Sequence, residues 1–256
     1  MSGKFCLVTG GSTGLGSYMA EGFLAAGAAK VYITARTKET LQAKADELTA
    51  NYEGECIGMP SDLATMKGID ALSNELHDRE DHIDVLVLNA GIGTGGYFDD
   101  LKVADWDITM DLNLRSPLFL TQAMLDLLRA NAKHEDPARV VFISSVAASE
   151  VFKHVFAYST SKKALEHLTP QLALALCDDH IHVNAIAPGR MYSEMTRGAW
   201  ENPDSEAFKQ SLKQIPAHRY GGLEDMAGVA VMLCSRAGSY FTGEVLNLDG
   251  GHRFRH

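Results

Sequence analysis

The chain has 256 residues, 46% of them hydrophobic and 22% charged, an ordinary globular composition with enough length for one large α/β domain and a substantial core. A formal net charge of −10 sets it against nucleic acid and anionic membrane surfaces as partners, while a local basic site for a small phosphate remains allowed. The longest apolar run falls short of the ~20 residues that cross a bilayer, and MSGKFCLVTGG leads straight into a strand-like segment without room for a signal peptide, so a cytoplasmic protein is expected.

Cys6, Cys56, Cys177 and Cys234 show no CxxC spacing and sit in apolar segments, so they are expected as reduced thiols packed like small hydrophobes. That suits a reducing compartment. Of the ten histidines only His180 and His182 show HxH spacing and none shows HExxH, and no catalytic metal is predicted.

In chain order, short apolar runs alternate with longer amphipathic ones. Strands are predicted at 5–8, 30–34, 56–59, 84–88, 139–143, 181–186 and 245–248, and helices at 14–27, 38–51, 64–80, 103–132, 156–178 and 223–236. Continuous apolar strands imply burial on both faces, and regular βα alternation implies a parallel sheet. Right-handed crossovers then place helices on both sides. The expected architecture is α/β: a doubly wound, Rossmann-like, parallel seven-stranded sheet in a single domain, residues 1–256. The segment at about 190–220, with Trp200, Pro203 and Pro216, breaks the alternation and is expected as a substrate lobe or lid.

The first strand ends in Thr9-Gly10-Gly11-Ser12-Thr13-Gly14-Leu15-Gly16. A glycine-rich turn between a strand and a helix lets backbone approach a pyrophosphate, and the helix N-terminus supplies N–H donors. The competing account is a tight βα turn with no ligand.

The spacing is Gly10-x3-Gly14-x-Gly16, and further motifs follow in order: Asn89-Ala90-Gly91, Asn113, Ser145, Tyr158-x3-Lys162 and Pro188-Gly189. Together these resemble the classical short-chain dehydrogenase/reductase family over almost the whole chain, from about residue 4 to 251. The resemblance implies an oxidoreductase that reduces a carbonyl or oxidises an alcohol with a nicotinamide cofactor. It gives Asn113, Ser145, Tyr158 and Lys162 as the catalytic group, with Asn113 holding a water that links Lys162 to solvent.

The chemistry of these residue types agrees with that assignment. Carbonyl reduction needs a proton donor beside the hydride donor, and Tyr158 and Lys162, four apart on a helix, share a face. An ammonium about 4 Å from the phenol would bring its pKa from near 10 to about 7. The Ser145 hydroxyl at the end of the fifth strand would bond the substrate oxygen, with Ser144 as its competitor. A solitary Tyr-x3-Lys is ordinarily just helix surface. A non-catalytic, nucleotide-sensing relative would show a broken tetrad, and here all four residues are present.

The family reads the adenosine ribose at the end of the second strand, where an acid favours NAD. Here that strand ends Thr34-Ala35-Arg36, and a guanidinium grips a 2′-phosphate, so NADP(H) is expected, with NAD(H) as the alternative. The turn lacks a second basic residue, having Thr13 there, and Arg36 has the alternative of a solvated strand end. By resemblance, Ser12, Thr13, Gly14, Leu15 and Gly16 with Gly10 hold the phosphates. Asp62 and Leu63 meet adenine, and Asn89, Ala90 and Gly91 line the ribose side. Tyr158, Lys162, Pro188, Gly189, Met191 and Ser193 surround the nicotinamide.

The substrate is expected against Met191, Tyr192, Met195, Ala199, Trp200 and Phe208 on one side and Val146, Val151, Phe152 and Phe156 on the other. Ordinary core or interface packing is the competing account of these residues. The chain resembles most the 3-oxoacyl-[acyl-carrier-protein] reductases of the rhamnolipid-linked type. That implies reduction of a 3-oxoacyl thioester or similar ketone, with Arg190, Arg197 and Lys209 near a carrier phosphate. The alternative is an alcohol or sugar dehydrogenase working oxidatively. Homotetramers or homodimers are common in the family; the apolar helix face from Leu118 to Leu128 fits an interface, though core packing explains it equally well.

Overall fold

Strand β1 (Phe5–Thr9) pairs with β2 (Lys30–Ala35) on one side and β4 (Val85–Leu88) on the other, and both partners run parallel to it. With β3 (Glu55–Pro60), β5 (Ala138–Ile143), β6 (Ile181–Pro188) and β7 (Val245–Leu248), the strands form one seven-stranded parallel sheet in the order β3-β2-β1-β4-β5-β6-β7. The computed structural model describes residues 1–254, with Met195 by its backbone alone. The last two residues of the expected domain, among them His256, and the Met195 side chain therefore lie outside the described residues.

The period of two along each strand divides the apolar residues between two cores. Cys6, Val8, Val31, Ile33, Val85, Val87 and Val141 face α1 (Gly14–Ala25), α2 (Lys38–Asn51) and α10 (Leu223–Cys234). Leu7, Tyr32, Leu86, Val140, Phe142 and Val183 face α3 (Met66–Arg79), α5 (Ser116–Ala123), α6 (Leu125–Asn131) and α7 (Phe156–Leu176). Each aliphatic side chain so buried contributes roughly 1.5–3 kcal/mol of transfer free energy. Helices α1 and α10 pack in near contact because Gly22 has no side chain: a Cβ there would lie 2.6 Å from that of Ala227.

Arg139 lies on β5 and is buried, without a carboxylate partner. Its guanidinium donates to the carbonyls of Leu233 and Ser235 at the end of α10, and to Pro137. A cation at a helix C-terminus is favourable, although burial still pushes its pKa down.

Two expectations are corrected here, and for one apolar face the core-packing account is seen. The helix expected over 103–132 is four pieces: α4 (Val103–Met110), a π-helical turn (Asp111–Arg115), α5 and α6, with Met124 leaving helical geometry between the last two. Cys177 is exposed, because it follows α7 in a 3₁₀ turn, whereas Cys6, Cys56 and Cys234 are buried. The face from Leu118 to Leu128 is largely core, with Leu120, Met124, Leu127 and Leu128 buried. Among the described residues no helix is long and apolar enough to cross a membrane.

Residues 190–220 carry two short helices, α8 (Arg197–Trp200) and α9 (Glu206–Lys213), around a small core of Phe208, Ile215 and Tyr220 with Trp200 and Leu212 against it.

Candidate active site

The carboxyl ends of β1 and β4 diverge where the strand order reverses, the place at which open α/β sheets bind ligands. A cleft of about 390 Å³ lies there. It is lined by Gly10, Ser12, Thr13, Gly14, Leu15, Arg36, Asp62, Leu63, Asn89, Ala90, Gly91, Ser145, Tyr158, Lys162, Pro188, Gly189, Met191 and Ser193. Of the expected site residues only Gly16 and Asn113 are not on its wall, and both stand directly behind it.

The turn after β1 is held open by hydrogen bonds around Thr9 and Asn89. The Thr9 hydroxyl accepts from Asn89 N and Ala90 N, each at 2.9 Å, and the Asn89 amide donates to Thr9 O and Gly10 O. Gly10 and Gly14 have φ of +65° and +56°, which other residues adopt at a cost. A Cβ on Gly16 would sit 2.1 Å from Gly10 O, so this glycine lets the helix close on the turn. Thr13 caps α1 without a side-chain bond, leaving the first-turn amides to face the cleft. The Asn89 side-chain nitrogen is thus spent on the turn.

At the far end, Ser145 follows β5, and its Oγ accepts from Ala147 N at 3.2 Å. Ser144 does not compete: it is buried, with its hydroxyl on Lys162 O and Glu166 Oε1. Lys162 is buried and donates through Nζ to Ile143 O at 2.8 Å, with Nζ 5.6 Å from the centre of the Tyr158 ring. Burial lowers its pKa to about 8. Burial also raises the Tyr158 pKa, and the Ser145 hydroxyl beside it pulls the other way. In the free protein the direction is therefore opposite to the expected shift toward 7, because desolvation outweighs the Ser145 hydrogen bond.

Asn113 lies in the π turn, fully buried. Its Oδ1 accepts from Ile92 N, and its Nδ2 donates to Ile92 O and Ser161 Oγ. Ser161 in turn donates to Tyr158 O at 2.7 Å. Asn113 thus joins the loop after β4 to the helix that carries Tyr158 and Lys162. A Cβ on Gly91 would meet Asn113 Oδ1 at 3.1 Å and Lys162 Nζ at 3.4 Å, so backbone passes directly over both.

The family model described as Enoyl-(Acyl carrier protein) reductase matches residues 10–253. The chain belongs to the short-chain dehydrogenase/reductase family. It is similar to the rhamnolipids biosynthesis 3-oxoacyl-[acyl-carrier-protein] reductase of Pseudomonas aeruginosa, 41% identical over 98% of this chain and 96% of that one. It is also similar to the 2-dehydro-3-deoxy-D-gluconate 5-dehydrogenase of Dickeya dadantii, 32% identical over 98% and 96%. Among solved structures it resembles the Pseudomonas aeruginosa RhlG/NADP active-site complex, with a TM-score of 0.94 and 40% identity over 99% of this chain and 97% of that one.

In this short-chain dehydrogenase/reductase the substrate wall differs from expectation. Met191 lines the cleft, but Tyr192, Ala199, Trp200, Phe208, Val146, Val151, Phe152 and Phe156 do not. Trp200 and Phe208 turn inward because a lobe of two short helices needs a core of its own. Val151 is almost wholly exposed, and Phe152 packs edge-on to His154. The lobe cations are also engaged: Arg197 with Glu194 at 2.6 Å, Lys209 with Glu206 at 3.1 Å, and Arg190 on Gln214.

Sequence reading missed Ser61, Ile92, Leu112, Glu194 and Thr196 on the cleft wall. Thr196 closes the loop that carries Ser193: its Oγ1 donates to Met191 O, accepts from Ser193 N and lies 3.1 Å from Ser193 Oγ. The Ser193-x2-Thr196 spacing of a cap box was the available signal.

Proposed function

We propose that this chain is an NADP(H)-dependent reductase of an uncharged ketone, most closely a 3-oxoacyl thioester, with residues 190–220 as its substrate lobe. The observation that carries the substrate class is the charge of the reacting end. Arg36 stands at the other end of the cleft, Lys162 is committed to the Ile143 carbonyl, and Glu194, beside Ser193 on the cleft wall, is paired with Arg197. No free cation among the described lining residues there would hold a sugar-acid carboxylate.

The residues fit the cofactor: positive-φ glycines, uncommitted first-turn amides of α1, and a guanidinium after β2 where the family has an acid for NAD. When bound, the nicotinamide supplies hydride to the carbonyl carbon. Gly10 to Leu15 would hold the pyrophosphate, Arg36 the 2′-phosphate, and Asp62 and Leu63 the adenine side. Tyr158, whose burial keeps it a protonated phenol, donates its proton to the ketone oxygen. Ser145 donates a hydrogen bond to that oxygen as charge gathers on it. The buried Lys162 ammonium stabilises the phenolate that remains, and Asn113 holds the π turn against the helix carrying both.

The test is loss of NADPH absorbance, with NADH in parallel, over a 3-oxoacyl thioester, a 3-oxo ester, a cyclic diketone and a keto sugar acid. Turnover of the thioester with NADPH is expected, and Tyr158→Phe should lower kcat by roughly 10²–10⁴-fold. Turnover of the sugar acid alone would overturn the substrate class, and an active Tyr158→Phe variant the mechanism.

A further inference from the structure

The segment that follows β7, residues 249–254, forms a strap between the loop after β6, the base of the lobe and the loop after Ser145. Gly250 and Gly251 have φ of +60° and +86°, and the Asp249 carboxylate accepts from Gly251 N at 2.9 Å and Arg253 N at 3.1 Å, so the turn is closed on itself. On one side it presses on the loop after β6: a Cβ on Gly189 would lie 2.8 Å from Asp249 Cα. It also holds the base of the lobe, where Ala217 N donates to Gly250 O at 3.0 Å.

On the other side it reaches the loop after Ser145. His252 Nδ1 lies 2.9 Å from Glu150 Oε1, with the two side chains 13% and 22% exposed. The contact lies off the hydrogen-bond axis: Nδ1 is out of water and makes no hydrogen bond. Glu150 in turn is clamped to the turn that Ser145 caps, since Glu150 N and Ser149 N both donate to Val146 O. The same loop continues to His154, whose carbonyl accepts from Gly96 N at 2.9 Å in the loop after β4.

We propose that this strap, through His252 on Glu150, positions the loop behind Ser145 and so sets the ketone-facing wall of the cleft. His252 and Glu150 are positioning residues: each acts through the backbone that carries Ser145. The proposal rests on the reductase reading for its kinetic consequence, while its structural content does not.

The experiment compares the wild type with His252→Gln, Glu150→Gln and the double variant. In the free protein, backbone hydrogen exchange over 146–155 and 249–254 is expected to quicken about fivefold in each single variant and no further in the double, since one contact is lost only once. With the best ketone of the panel, KM should rise about fivefold with kcat within about twofold, and NADPH affinity should not change. Unchanged exchange, or effects of the two substitutions that simply add, would overturn the proposal. So would a uniform loss of stability and NADPH affinity, which marks general loosening. If no ketone is turned over, the reductase reading fails while the exchange data still decide the strap.

Discussion

Lys162 pairs burial with function most tightly. Burial takes its pKa from the ordinary lysine range down to about 8. The folded chain therefore releases a proton that the unfolded chain still binds, and stability rises with pH from about 8 toward 10.5. Against a Lys162→Met variant, the wild type is expected to gain on the order of 3 kcal/mol across that window in urea unfolding. A difference between the two proteins that stays flat with pH would refute the assigned cost of burial. Arg36 carries the other residue-scale prediction. Arg36→Ala should raise the KM for NADPH roughly 10- to 100-fold and leave NADH untouched, because a charge-assisted bond to a phosphate is at stake. Equal loss with both cofactors would remove Arg36 from the 2′-phosphate. Both residues were visible in the sequence. The direction of the Tyr158 shift was not, because it depends on a depth of burial that only the fold sets.

At the scale of elements, the π turn at Asp111–Arg115 departs from the continuous helix read from 103–132. The extra residue in the turn swings Asn113 inward, where it satisfies both backbone groups of Ile92 and reaches Ser161. Asn113→Ala would orphan buried polar groups at about 1–3 kcal/mol each and lower the melting temperature by several degrees. Its calorimetric signature should persist without cofactor; a fall in kcat with no loss of stability would contradict the bridging role. Periodicity cannot show a π turn, since the apolar stripe continues through it. The lobe misled for a related reason: an apolar residue in an irregular stretch reads as pocket wall until a separate core claims it, as it does Trp200 and Phe208.

Over the whole molecule, the cleft joins both halves of the sheet, from Arg36 after β2 to Ser193 after β6, and Gly14 lies against the Ser193 side chain. A ligand bound along it should stabilise the chain as a unit. At a hundredfold excess over Kd, NADPH is expected to add about 2.7 kcal/mol to unfolding, read as a rise in melting temperature, with a smaller rise for NADH. Equal shifts with the two cofactors would argue against the NADP(H) preference.

The alternation of apolar strands with amphipathic helices determined the sheet and its two layers, because burial on both faces leaves few other arrangements. Glycine spacing and the ordered set of Asn113, Ser145, Tyr158 and Lys162 determined the family. The tertiary structure decided what depends on distance. Asn89 and Thr9 brace the turn, the Ser144 hydroxyl is spent on Lys162 O and Glu166 Oε1, and Glu194 joins the cleft wall beside Ser193. His252, more than a hundred positions after Glu150, comes to lie against it only because β7 ends beside β6, and no local pattern encodes that neighbourhood.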